Sequence, residues 1–182
     1  MSEVLNAIRD RFSCRDFSPE PLAEDQIKEL VDSALASPSA VNRQPWHIIV
    51  VTDKSFIEEI DAAAMDEIKA KDENWYEGMM KRGGRIFYDA PCIIFIASDG
   101  SEWAALDAGI VSQNIALAAH GLGLGSVICG MARIPLDGEK GKDIIKRLKF
   151  PEGYVFGMSV CVGKVISGKE PHELDYDKVT YV

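Results

Sequence analysis

Ser37-Pro-Ser-Ala-Val-Asn-Arg-Gln-Pro-Trp46 is a polar loop packed with hydroxyl, amide and proline groups that runs straight into the apolar stretch 46–51. Pro38 and Pro45 punctuate it, one stopping a helix and the other admitting a strand. Ser39, Asn42 and Gln44 supply more side-chain donors and acceptors than a turn requires, and loops of this kind are favoured places for binding. Upstream, Arg11-Phe-Ser-Cys-Arg15 concentrates two guanidiniums and a hydroxyl in five residues. Planar guanidinium forks with an adjacent hydroxyl suit a phosphate dianion. The two segments read as opposite ends of one ligand site, an anion clamp and a polar edge for a flat ring.

The rest of the chain frames that site. At 182 residues it is read as one domain spanning 1–182, with 47% apolar and 27% charged residues. The net charge is -9, from 29 acidic and 20 basic side chains. A field of that sign argues against a nucleic-acid or anionic-membrane surface, so an anion must be held locally. The four cysteines, Cys14, Cys92, Cys129 and Cys161, are widely spaced, which disfavours zinc, iron–sulfur or disulfide scaffolds. Polar residues interrupt the first apolar run, and with free thiols this reads as a cytoplasmic protein. The uncharged stretch 108–132 carries Ser112, Gln113, Asn114 and His120, and Gly121, Gly123 and Gly125 break it, so it reads as a buried helix followed by a strand, not a membrane span.

Periodicity supplies the elements. Val4, Leu5, Ile8 and Phe12 predict a short helix, although Arg11 and Arg15 would be like charges at i,i+4 if it continued. Ile27, Leu30, Val31, Ala34 and Leu35 predict a second helix. Residues 46–51, 92–97 and 126–129 predict strands, and Tyr154, Phe156, Met158, Val160 and Val162 alternate as a fourth. Residues 54–85 are helical in tendency, and 102–120 form a long helix with Gly121 as its C-terminal glycine. The order helix, Gly121-Leu-Gly-Leu-Gly125, strand is the reverse of a dinucleotide fingerprint. From Val165 the chain looks like an extended arm. Fold class is α+β. No Ser/His/Asp or paired-carboxylate pattern emerges, and His47, His120 and His172 stand apart. A polar binding loop without acid–base apparatus suggests chemistry carried by a cofactor.

With these motifs the chain resembles the nitroreductase family of FMN-dependent oxidoreductases. Residues 11–15 match its Arg-x-Ser-x-Arg/Lys segment, and 36–46 match its Ala-x-Pro-Ser-x-x-Asn-x-Gln-Pro-Trp signature. The run from Asp107 through Gly121 to Gly130 also fits, so the similarity spans nearly the whole chain. The resemblance implies a three-layer fold with a mainly antiparallel mixed sheet, and a homodimer in which a C-terminal arm reaches the partner. It implies that Arg11, Ser13 and Arg15 hold the FMN phosphate, with Lys169 as the C-terminal basic residue. Pro38, Ser39, Ala40, Asn42 and Gln44 would approach the ring from the partner subunit. The backbone N–H groups of Cys129 and Gly130 would face flavin N5. It further implies ping-pong transfer from NAD(P)H to a nitroaromatic, quinone or similar acceptor, with residues 54–85 covering the substrate. The alternatives are a reductive dehalogenase or flavin-fragmenting relative, with Glu73, Tyr76 and Lys81 over the ring, or a flavin-binding protein without turnover.

Overall fold

The computed structural model describes residues 3–182. Seven helices and four strands follow one another as α1 (Glu3–Asp10), α2 (Glu24–Leu35), β1 (Trp46–Val51), α3 (Lys54–Lys71), α4 (Glu73–Met80), β2 (Cys92–Ser98), α5 (Ala104–Gly121), β3 (Gly125–Ile128), α6 (Arg133–Leu136), α7 (Gly141–Arg147) and β4 (Val155–Gly163). The sheet order is β1-β2-β4-β3, and every neighbouring pair is antiparallel. The expected mixed character reduces to one parallel bridge, Ser13 to Ser126, outside the named strands.

Alternation along the strands builds two cores. Ile93, Phe95 and Cys161 face a cluster with Ile57, Ile60, Ile68, Phe87 and Ile144, beneath α3 and α7. Cys92, Ile94, Ile96, Val160 and Val162 face the other way, against Leu30, Ala34, Val111 and Ile115 of α2 and α5. The central strand β2 is buried along its whole length, as a strand covered by helices on both faces must be. The result is three layers.

The structure refines two local expectations. The 54–85 segment, helical in tendency, divides into α3 and α4 at Asp72, whose carboxylate caps α4 by accepting Asn74 N–H at 2.9 Å and Trp75 N–H at 3.1 Å. At the end of α5, Gly121 is still helical and Gly123 is the left-handed residue, with φ 71°. Gly123 N–H reaches His120 C=O at 3.0 Å and Leu124 N–H reaches Ala119 C=O at 2.8 Å, a Schellman pair that turns the chain into β3.

Helix α1 buries none of its residues; Val4, Leu5 and Ile8 stay exposed. Beyond Gly163 the chain is exposed to its end, carrying Leu174, Tyr176, Val179 and Tyr181 on its surface. Among the described residues no helix is long and apolar enough to cross a membrane.

Candidate functional site

Helix α1 ends at Asp10, which avoids the repulsion a longer helix would impose on the two arginines. The chain then becomes an extended strip. Cys14 N–H donates to Ser126 C=O at 2.9 Å, Ser18 N–H to Lys164 C=O at 2.9 Å, and Ile166 N–H to Asp16 C=O at 3.1 Å. Cys14 is fully buried, while Arg11 and Ser13 are half-buried and Arg15 is exposed. Arg11, Ser13, Arg15 and Lys169 line one cleft of about 280 Å³, closed by Phe12, Glu170, Pro171 and His172. Three cationic side chains and a hydroxyl thus face one space in a chain of net charge -9. His172, which stands apart from the other histidines in sequence, and Glu170 reach the cleft only through the fold of the arm. The Arg15 guanidinium also lies 5.9 Å from the centre of the Tyr88 ring.

The polar loop folds as a tight turn. Residues Ala40–Asn42 form one 3-10 turn, and Val41, Asn42 and Gln44 have φ of 46°, 53° and 51°. Ser39 Oγ accepts Gln44 N–H at 2.9 Å, and Gln44 Nε2 donates to Asn42 Oδ1 at 3.3 Å. From α5, Asp107 Oδ1 accepts Ala40 N–H at 3.2 Å and Asn114 Nδ2 donates to Ser37 Oγ at 2.9 Å. The cleft of Arg11 includes none of Pro38, Ser39, Ala40, Asn42 and Gln44. The two ends of the expected site do not line one cleft in this chain.

At the end of β3 one of the two expected donors is already engaged. Cys129 N–H is already committed to Ser159 C=O at 2.8 Å, and Ser159 Oγ donates to Cys129 C=O at 2.6 Å. Gly130 is exposed where the chain leaves the sheet. The Cys129 thiol is buried, donates to Ile86 C=O at 3.4 Å, and has Cys161 of β4 as a hydrogen-bond partner. That bond, with the N–H groups of Met131 and Ala132, lowers the Cys129 pKa against the opposing effect of burial. Burial pushes the Cys161 thiol well up. The two cysteines are far apart in sequence, and only the β3–β4 register, which pairs Val127 with Cys161, makes them neighbours.

A second, larger space of about 640 Å³ lies beyond the strip, lined among others by Asp16, Phe17, Lys54, Asp61, Arg85 and Asp89. Glu73 and Tyr76 lie on α4 with Lys81 as its C-cap, and Lys69 Nζ stands 5.1 Å from the Tyr76 ring centre. Among the described residues no group of three or more His, Cys, Asp or Glu side chains is placed to hold a metal ion.

Comparison with known proteins sets this geometry in context. Residues 8–164 match the model of the Nitroreductase family. A protein of Methanothermobacter thermautotrophicus carrying the provisional name NADH dehydrogenase/NAD(P)H nitroreductase is 35% identical over 156 residues, covering 82% of this chain and 71% of that one. The crystal structure of a nitroreductase with bound FMN from Desulfitobacterium hafniense DCB-2 superposes with a TM-score of 0.95 at 40% identity, covering 100% of this chain and 99% of that one. An FMN-dependent nitroreductase from Clostridium difficile R20291 gives 0.86 at 30% identity, with coverage of 100% and 99%.

Proposed function

The chain belongs to the nitroreductase family, and from that premise we propose that it is an FMN-dependent oxidoreductase passing electrons from NAD(P)H to a nitroaromatic, quinone or similar small acceptor. The observation that carries this reading is the cleft of Arg11, Ser13, Arg15 and Lys169. Its donor set matches a phosphate monoester: two guanidiniums, an ammonium and a hydroxyl against the single carboxylate of Glu170. The relatives with FMN in their names support the same cofactor here.

FMN held there supplies hydride chemistry that no side chain in the site provides. This chain's residues bind and orient. Arg11, Ser13, Arg15 and Lys169 hold the phosphate, and Gly130 lies at the strand end expected beside the ring. Pro38, Ser39, Ala40, Asn42 and Gln44 contribute to the site of a second protomer, because they lie outside the cleft of their own. The apolar faces left open support that homodimer. Val4, Leu5 and Ile8 on α1, Leu106 on α5, and the arm residues Leu174, Tyr176 and Val179 are large exposed hydrophobics that an obligate interface would bury. One site serving donor and acceptor in turn gives ping-pong kinetics, with residues of α3 and α4 bordering the acceptor.

The test is spectroscopic. Purified protein should carry a flavin spectrum, release FMN on denaturation, and bleach within seconds on anaerobic mixing with NADH or NADPH. Reoxidation by a nitroaromatic or quinone should follow. A flavin that stays oxidised would favour a flavin-binding protein without turnover, and protein that neither carries nor takes up FMN would overturn the reading.

A further inference from the structure

Helix α5 grips the polar loop at two points. Asp107 holds Ala40 and, seven residues on, Asn114 holds Ser37. Seven residues are about two helical turns, so both side chains leave the same face of the helix. Immediately after Ala40 the chain adopts a shape that L-residues resist. Val41 and Asn42 are left-handed in succession and Gln44 follows after one residue. A β-branched side chain at positive φ is disfavoured, and Val41 is 97% exposed, so packing does not hold it there.

Asp107 is an expensive way to fill its position. The residue is 2% exposed, and its Oδ2 is buried without a hydrogen-bond partner. An apolar side chain would avoid the desolvation that a buried carboxylate incurs. What the carboxylate does that an apolar group cannot is accept Ala40 N–H through Oδ1. Its place in the first turn of α5 lets the helix dipole offset part of the cost.

We propose that Asp107 is a positioning residue, whose hydrogen bond to Ala40 N–H fixes the strained 40–44 turn in one shape, so that Ser39, Ala40 and Asn42 meet FMN preformed. The inference rests on the flavin reading above for the identity of the ligand, but not for the holding of the turn. Without the bond, the turn relaxes toward ordinary right-handed conformers. FMN then binds only the fraction that retains the competent shape, and its apparent Kd rises by the inverse of that fraction.

Two measurements test this. Arg43 is exposed within the turn, so trypsin reports the turn's mobility in FMN-free protein. Asp107→Ala should speed cleavage after Arg43 about tenfold or more and raise the FMN Kd by a similar factor, whereas Asp107→Asn, which keeps an acceptor, should stay within about threefold on both. Should Asp107→Ala not fold, Ala40→Pro removes the same bond from the donor side and should likewise speed cleavage. Ser39, at φ -142° and ψ 160°, tolerates a following proline. Ile144→Ala, in the opposite core, is the control for lost global stability.

Cleavage of Asp107→Ala at the wild-type rate overturns the proposal. So does Asp107→Asn behaving like Asp107→Ala, since charge would then be the relevant property. An equal rise in Kd from Ile144→Ala at matched loss of Tm also overturns it. Wild-type protein that binds no FMN overturns the flavin reading instead, and the cleavage rates still decide whether Asp107 holds the turn.

Discussion

Asp61, in the middle of α3, accepts the backbone N–H of Ile86 at 2.8 Å and that of Phe87 at 3.1 Å through one oxygen, Oδ1. It thereby fixes the loop that enters β2 from a position only 5% exposed. Burial raises its pKa from 3.8 to about 6, against the lowering effect of the two N–H groups and of Arg85.

That shift sets a pH dependence. The folded state binds the Asp61 proton more tightly than the unfolded chain, so this group's contribution to stability is greatest below 3.8, falls as pH rises from about 4 to about 6, and is flat above. Two pKa units correspond to about 3 kcal/mol. Asp61→Asn keeps an acceptor for both N–H groups and carries no charge. It should therefore be more stable than wild type at pH 7.5, by up to about 3 kcal/mol, and little different at pH 4. Denaturant unfolding at the two pH values checks this, and an Asn variant less stable at pH 7.5 would contradict it.

The anion clamp gives a second prediction. Arg11→Ala and Arg15→Ala should each weaken FMN by about 1.5–3 kcal/mol, the usual worth of a charged hydrogen bond. Lys169→Ala should cost less, because Lys169 is a point charge on a flexible stem in an exposed arm. Titration of FMN-free protein followed by flavin fluorescence measures all three. Unchanged affinity in both arginine variants would remove the phosphate from this cleft.

Gly125 bears on the same strip from beneath. A Cβ there would lie 2.7 Å from Val165 Cγ2 and 2.9 Å from Cys14 Cβ. Gly125→Ala should cost about 1–3 kcal/mol by overpacking. It should also weaken FMN, since Cys14 is the residue that pins Ser13 and Arg15 to the sheet edge. The comparison is Gly138→Ala, whose Cβ would meet first the half-buried Glu67 side chain of α3, away from the clamp; it should cost stability but leave FMN affinity unchanged.

Much of this arrangement was legible before the fold. The 46–51, 92–97 and 154–162 strands announce themselves through alternation or unbroken apolar runs, and the 11–15 and 36–46 motifs display locally the chemistry of the proposed site. What was hidden depends on distance in sequence. The Asp107–Ala40 bond spans 67 residues and the Asp61–Ile86 bond 25. Neither leaves a local pattern, because an aspartate on a helix reads the same whether it faces water or a buried N–H. Lys169 sits in a polar arm whose composition does not say which surface it lies against. The break at Asp72 was readable in principle, since Asp72-Glu-Asn-Trp75 places a capping side chain ahead of an apolar helix face.

Cys129 provides the sharpest test of which atoms work at the strand end. Its thiol is buried, bonded to Ile86 C=O and Cys161, and its N–H is committed to Ser159. All three engagements are structural. A thiolate at this position would also repel negative charge gathering on the flavin ring during turnover. The lowered Cys129 pKa has the neighbouring Cys161 thiol as its largest cause, with burial opposing it. Cys129→Ala should therefore retain flavin and keep NAD(P)H-to-acceptor turnover within about tenfold, or about 1.4 kcal/mol of barrier. It should lose some stability from the small cavity left beside Cys161. Steady-state kinetics and unfolding of the same preparation separate the two effects. A loss of several orders of magnitude in turnover with flavin still bound would show that the side chain takes part in the chemistry.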